Sequence, residues 1–227
     1  MAVLETSIEN AYWSNAKRKL ICTVEEEIYE IPITELTCNP KGVDNYFGVI
    51  RRIFKTGKVR FDIKDGEVPS IRRYEIETIK NLSENMIVNA RVVRVINSGA
   101  FCVLDNGIEG FIPIVEISRG YINLNSLCDF IKKDEVFPVK ILEIEQGDWP
   151  RVTLSRKQGA PDYSDKYDIG NIVTVRIISK INDQGLLCEL DPKNIGFIDG
   201  DTKLTGEISA GVIKTRSKNG VWRLDAI

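Results

Sequence analysis

Three groups of side chains in this chain could do chemistry on a polyanion. Arg91 and Arg94 lie in the strand-like run Val88–Ile96, and Arg151 opens another such run. Lys214, Arg216 and Lys218 alternate along a hairpin-like segment near Arg223, which places their charges on one face. Arg51, Arg52, Lys55, Lys58 and Arg60 are interleaved with Tyr46, Phe47, Phe54 and Phe61. Cations track phosphates and aromatic faces stack bases, so this mixture is what single-strand binding needs. Each group also has a plainer reading. Exposed strand arginines are common, lysines guard sheet edges against pairing, and Phe47, Ile50, Ile53 and Phe54 fit the buried face of a short helix. Trp149, beside Pro150 in the polar turn Gln146-Gly147-Asp148, is either a stacking platform or a wedge between domains. Trp222, within a strand-like run, reads as core.

Other chemistries are excluded by composition. The chain has 227 residues and no histidine, so every His-based triad and general acid/base is absent. Cys22, Cys38, Cys102, Cys128 and Cys188 lie at least 16 positions apart with no Cys-x-x-Cys, which removes the common zinc arrangements. No metal or cofactor is expected. Lys and Arg number 31 against 33 Asp and Glu, a net charge of −2, so any polyanion site is a local patch. No apolar run approaches the roughly 20 residues of a membrane helix, and the first ten residues lack a secretory pattern. A reduced, cytoplasmic, non-enzymatic protein with no membrane partner is the expectation.

The elements that position these residues repeat. Ile31-Pro32-Ile33-Thr34-Glu35-Leu36 matches Ile112-Pro113-Ile114-Val115-Glu116-Ile117 at an offset of 81, and the same offset aligns the segment from Gly66 to Ile71 with that from Gly147 to Val152. A third copy follows. Ile87-Val88 and Arg91-Val92-Val93 match Ile172-Val173 and Arg176-Ile177-Ile178 at offset 85. After one inserted residue, Gly99-Ala100-Phe101-Cys102-Val103-Leu104-Asp105 matches Gly185-Leu186-Leu187-Cys188-Glu189-Leu190-Asp191 at offset 86, as Gly110-Phe111-Ile112 matches Gly196-Phe197-Ile198. The boundaries are 1–80, 81–158 and 165–227, with 159–164 as linker. Runs of β-branched and apolar residues bounded by Gly, Asn, Asp or Pro make the units strand-rich, and Asn219-Gly220 signals a tight hairpin. Five short strands with a longer polar stretch, Ser118–Asp134, after the third suit a small Greek-key barrel. Leu4, Ile8, Ala11 and Tyr12 recur at helical spacing and predict a helix over Glu5–Lys17. The expected fold is therefore mostly β: three tandem OB-fold units, the first truncated and preceded by an N-terminal helix.

The middle unit resembles a known family. Val88–Ile96, Gly99-Ala100-Phe101, Gly110-Phe111-Ile112-Pro113, the run from Val139 to Glu145 and the closing Leu154-Ser155-Arg156-Lys157 are similar to the S-one domain, the OB-fold repeat of ribosomal protein S-one and of polynucleotide phosphorylase. The match covers about 75 residues in order. The whole chain also resembles S-one-like proteins of phages and mobile elements of Gram-positive bacteria. The resemblance implies single-stranded RNA, with single-stranded DNA as a further ligand, on a face where Phe101 is the stacking aromatic and Glu145 and Arg151 form the acid–arginine pair. Ser98 stands where the family has a leading aromatic, and Pro113 where it has a histidine. Proline there resembles repeats that dock on the ribosome. An adaptor seated on a ribosome, RNA polymerase or replication complex is therefore the alternative.

Overall fold

A computed structural model describes residues 2–37, 46–145, 150–181, 185–199 and 203–227. The chain divides into two compact units, one of Met1–Ser83 with 103–109 and 144–152, the other of Glu84–Cys102, Gly110–Glu143 and Thr153–Ile227.

In the first unit, β1 (Ala2–Ser7) pairs antiparallel with β5 (Lys58–Ile63), while β2 (Ala11–Ser14), β3 (Lys19–Val24) and β4 (Glu27–Pro32) form a three-stranded meander. Helices α1 (Tyr46–Lys55) and α2 (Ile71–Lys80) lie before and after β5. Leu20, Ile31, Ile50, Ile53 and Phe61 are buried in its core. The helix expected over Glu5–Lys17 is not formed. Instead, Ser7 ends β1 by accepting the amide N–H of Glu9 into one 3-10 turn, Ile8–Asn10, after which β2 resumes. Thr6 explains the choice, since its buried hydroxyl donates to the Thr23 carbonyl at 2.8 Å, and Tyr12, required on the helical stripe, is 62% exposed. A short isolated helix is marginal, and pairing with two neighbouring strands overrides four residues at helical spacing.

The middle repeat closes. β6 (Ile87–Ile96), β7 (Gly99–Leu104), β8 (Glu109–Pro113), β9 (Val136–Glu145) and β10 (Arg151–Ser155) run in the order β10-β8-β7-β6-β9, with β8 and β10 parallel. Ala90, Val92, Ala100, Cys102, Ile112, Ile141 and Leu154 are buried. The short helices α3 (Leu127–Phe130) and α4 (Arg156–Gly159) follow β8 and β10. The third repeat closes in the same way from β11 (Ile172–Ile181), β12 (Gly185–Asp191), β13 (Asn194–Asp199), β14 (Ile208–Arg216) and β15 (Trp222–Ala226), in the order β11-β12-β13-β15-β14. Trp222 is buried in it at 4% exposure, and the Asn219-Gly220 turn is made with Gly220 at φ +75°.

The I-P-I-x-E repeat has a physical reason. Pro32 and Pro113 each end a strand, Ile33–Glu35 and Ile114–Glu116 each form a 3-10 turn, and the glutamate that closes the turn accepts a serine hydroxyl. Ser70 donates to Glu35, and Ser155 donates to Glu116 at 2.6 Å. Both serines cap a helix, accepting the N–H of Arg73 and Gln158. The copies differ in what precedes the cap. Pro150 is followed by the five residues of β10, ending in Ser155, whereas Pro69 is followed at once by Ser70. The first repeat thus lacks a counterpart of β10, keeps only the bridge Asp62↔Ser70 in its place, and does not close among the described residues. The stretch expected as a linker begins packed, for Gly159 and Ala160 are buried and a Cβ at Gly159 would stand 2.4 Å from the Val139 backbone.

Candidate nucleic-acid interface

The glycine of Gly99-Ala100-Phe101 sets the geometry of β7 and β8. A Cβ there would stand 2.1 Å from the Ile112 carbonyl oxygen and 2.6 Å from the Phe111 ring. Only glycine allows this approach, which lays Phe111 across the start of β7. Phe111 then meets Phe101, with ring centroids 4.9 Å apart and planes at 52°. Strand alternation sends Ala100 and Cys102 inward at 0% exposure and leaves both phenylalanines half-buried on the outer surface. Thr153 of β10 pairs with Phe111 and extends this surface. Phe111 was absent from the residues expected at the site. Its strand alternation and its place in Gly110-Phe111-Ile112 would have pointed to it.

The expected cations are placed as follows. Arg91 on β6 reaches Asp134 at 3.2 Å, and Arg94 is exposed on the same strand. Arg151 and Glu145 lie 3.9 Å apart, both well exposed. Such pairs contribute about 0–1 kcal/mol in water, so a phosphate can compete for the arginine. Trp149 lies outside the described residues.

In the third repeat, Lys214 pairs with Asp225 at 2.8 Å, Arg216 lies over the Trp222 ring at 4.7 Å, and Lys218 is exposed in the turn. Arg223 covers the Phe197 ring at 4.9 Å and reaches Asp199 at 3.4 Å. Leu187 stands where the middle repeat has Phe101, is half-buried, and packs against the neighbouring barrel. A Cβ at Gly120, from the polar stretch after β8, would meet Ile178 at 2.3 Å, Ile195 at 3.4 Å and Leu187 at 3.5 Å. The middle barrel's own backbone therefore seats on the third barrel beside the counterpart of Phe101. Arg119 holds the joint, its amide donating to the Pro192 carbonyl at 3.0 Å and its guanidinium to the Asn219 carbonyl at 2.8 Å. Arg156 adds a two-pronged bond to Glu189 at 3.0 and 2.9 Å, with side chains 10% and 4% exposed.

Among the described residues no cluster of acidic or cysteine side chains is placed to hold a metal ion, and no helix is long and apolar enough to cross a membrane.

Residues 81–186 match the S1 RNA binding domain family, in agreement with the resemblance carried by the middle repeat. Over 150 residues the chain is 28% identical to a polyribonucleotide nucleotidyltransferase of Thermodesulfovibrio yellowstonii, a match covering 59% of this chain and 21% of that protein. The chain thus spans about a fifth of that relative's length. Among solved structures it is similar to a chain of the a/eIF2alpha–aDim2p–rRNA complex from Pyrococcus horikoshii, at 28% identity over 33% of this chain and 44% of that one, with a TM-score of 0.29. It is also similar to GSP13 from Bacillus subtilis, at 21% identity over 37% of this chain and 63% of that one, with a TM-score of 0.32.

Proposed function

We propose, with an S1-type barrel in the middle of the chain as the premise, that this protein is a non-enzymatic cytoplasmic binder of single-stranded RNA. The observation that supports this best is the half-buried ring pair Phe101–Phe111 on the outer surface of β7 and β8. Each ring offers a face for an unpaired base, and a stacked base contributes about 1–3 kcal/mol. Arg91, Arg94 and Arg151 supply phosphate contacts, and Glu145 orients Arg151 as the resemblance implies. Three phosphate contacts to a single strand give a log–log salt slope of roughly −2. The third barrel, with Leu187 under Gly120, holds its neighbour in place.

The test is anisotropy titration of labelled single strands of about 16 nucleotides, the upper end of an OB-fold footprint, with RNA and DNA in parallel at low and near-physiological salt. Saturable RNA binding that weakens with salt and falls about tenfold in Phe101→Ala and in Arg151→Ala supports the reading. No binding at low salt overturns it.

Ser98 and Pro113, at the two positions where the family has an aromatic and a histidine, favour a second reading. In it the barrel is an adaptor docking on a ribosome, RNA polymerase or replication complex. Partner capture unaffected by Phe101→Ala, with no strand binding, is its signature.

A further inference from the structure

The first unit carries a second set of rings that its core does not need. Phe47, in the first turn of α1, is 55% exposed and does not pack with Val49, Ile50 and Ile53, the residues the helix buries. Trp13 and Tyr46 lean on the core, whereas Phe47 rests on Tyr46. The three rings form a series: Trp13 to Tyr46 at 5.1 Å with planes at 33°, then Tyr46 to Phe47 at 4.2 Å with planes at 31°. Trp13 is fixed by its indole N–H, which donates to Asn15 Oδ1 at 2.9 Å.

Two arginines flank the series. Arg18 takes φ +51°, a backbone conformation that long side chains rarely adopt, and its guanidinium lies 5.8 Å from the Tyr46 ring centroid. Arg51 follows Phe47 by one helical turn, on the same side of α1.

We infer that Trp13, Tyr46, Phe47 and Arg18 form a second base-stacking site, which takes an unpaired nucleobase on Phe47 and its phosphates on Arg18 and Arg51. The inference rests on the RNA reading for the kind of ligand. Its residues are separate from those of the barrel surface. An apolar peptide would leave Arg18 and Arg51 unused, and two guanidinium groups beside stacked rings match a nucleotide.

Fluorine NMR of the full chain labelled with fluorotryptophan tests this, with the Trp13 resonance identified by its loss in Trp13→Phe. The titrant is an oligouridylate of about six nucleotides. The expected result is a saturable shift of the Trp13 resonance that survives in Phe101→Ala/Phe111→Ala. Its apparent affinity should fall roughly tenfold in Phe47→Ala and be restored in Phe47→Tyr, while the buried Trp222 resonance stays in place and reports an intact fold. A Trp13 resonance that does not move while anisotropy shows the strand bound overturns the site and leaves the barrel reading standing. A shift lost together with barrel binding in the double variant also overturns it, as does a shift produced only by an acidic peptide. A Trp13 shift with no effect of Phe101 or Phe111 substitution on anisotropy supports this site and removes the barrel one. No response by either readout removes both.

Discussion

Replacing Arg156 by Met tests the joint between the two closed barrels. The guanidinium donates through both terminal nitrogens to Glu189, through Nη1 also to the Ile117 carbonyl at 3.1 Å, and leaves Nε without a partner. Glu189 is 4% exposed, so removing the arginine strands a carboxylate away from water. Breaking one side of a buried ion pair costs about 3–5 kcal/mol, whereas replacing both partners by apolar groups of similar volume is close to neutral. With a urea slope of about 2 kcal/mol per molar, Arg156→Met should lower the denaturation midpoint by roughly 1.5–2.5 M. The double variant Arg156→Met/Glu189→Met should stay within about 1–2 kcal/mol of the parent, the remainder being the Ile117 carbonyl left without its donor. Urea titrations of parent, both singles and the double, each in a Trp13→Phe/Trp149→Phe background so that Trp222 alone emits, followed by fluorescence and far-ultraviolet circular dichroism, complete the cycle. The two probes should coincide in the parent and separate in Arg156→Met if the pair ties the barrels into one cooperative unit. A single variant within 1 kcal/mol of the parent, or a double as unstable as the single, would refute the reasoning (thresholds of about 1 kcal/mol mark the resolution of the method).

Other outcomes follow from individual residues. Gly99→Val should destabilise the middle barrel and abolish the Phe101–Phe111 arrangement, because its Cβ would fall 2.1 Å from the Ile112 oxygen; denaturation and strand binding should both report the loss. At Glu116, burial raises the carboxyl pKa, but hydrogen bonds from Ser155, Lys157 and Gln158 outweigh it and hold the group below its ordinary value. Its contribution is thus full above the unfolded carboxylate pKa and is lost as pH falls through the folded one, so the urea midpoint should fall between about pH 5 and about pH 3 more in the parent than in Glu116→Gln. Burial pushes the Cys22 and Cys188 thiols up to about 12, and Cys128 is exposed. In a Cys38→Ser/Cys128→Ser variant, a disulfide reagent at about pH 8 should therefore find no fast-reacting thiol until the chain is unfolded; rapid labelling would contradict the burial of Cys22, Cys102 and Cys188.

Much of the fold was legible because its repeats carry punctuation. Proline at the end of a strand and glutamate three residues on belong to one corner, and the offset of 81 recovered them; the capping serines Ser70 and Ser155 fall outside that register and were not paired. The N-terminal helix was misread because four residues at helical spacing say nothing of the strands waiting to pair with them, and β1 finds its partner β5 more than fifty residues later. Phe101 could be placed by alternation. Its companion Phe111 was open to the same alternation argument, but only the glycine approach between β7 and β8 shows that the two rings meet. Arg156 was read only as part of the closing Leu-Ser-x-Lys element, since its partner Glu189 is 33 residues away in a different barrel. The Trp13–Tyr46–Phe47 series joins a hairpin to a helix, and no local pattern announces it.

The seating of Gly120 against Leu187, Ile178 and Ile195 has a consequence for valency. Two linked copies of a binding module ordinarily gain avidity, since capture by one raises the effective concentration for the other. Here Leu187, the counterpart of Phe101, packs against the Gly120 backbone, so on the proposed reading the barrel pair would meet a strand with one hand. What duplication supplies is leverage. On that reading the third barrel is a handle on the middle one, and a partner gripping it would set the direction in which a strand is presented.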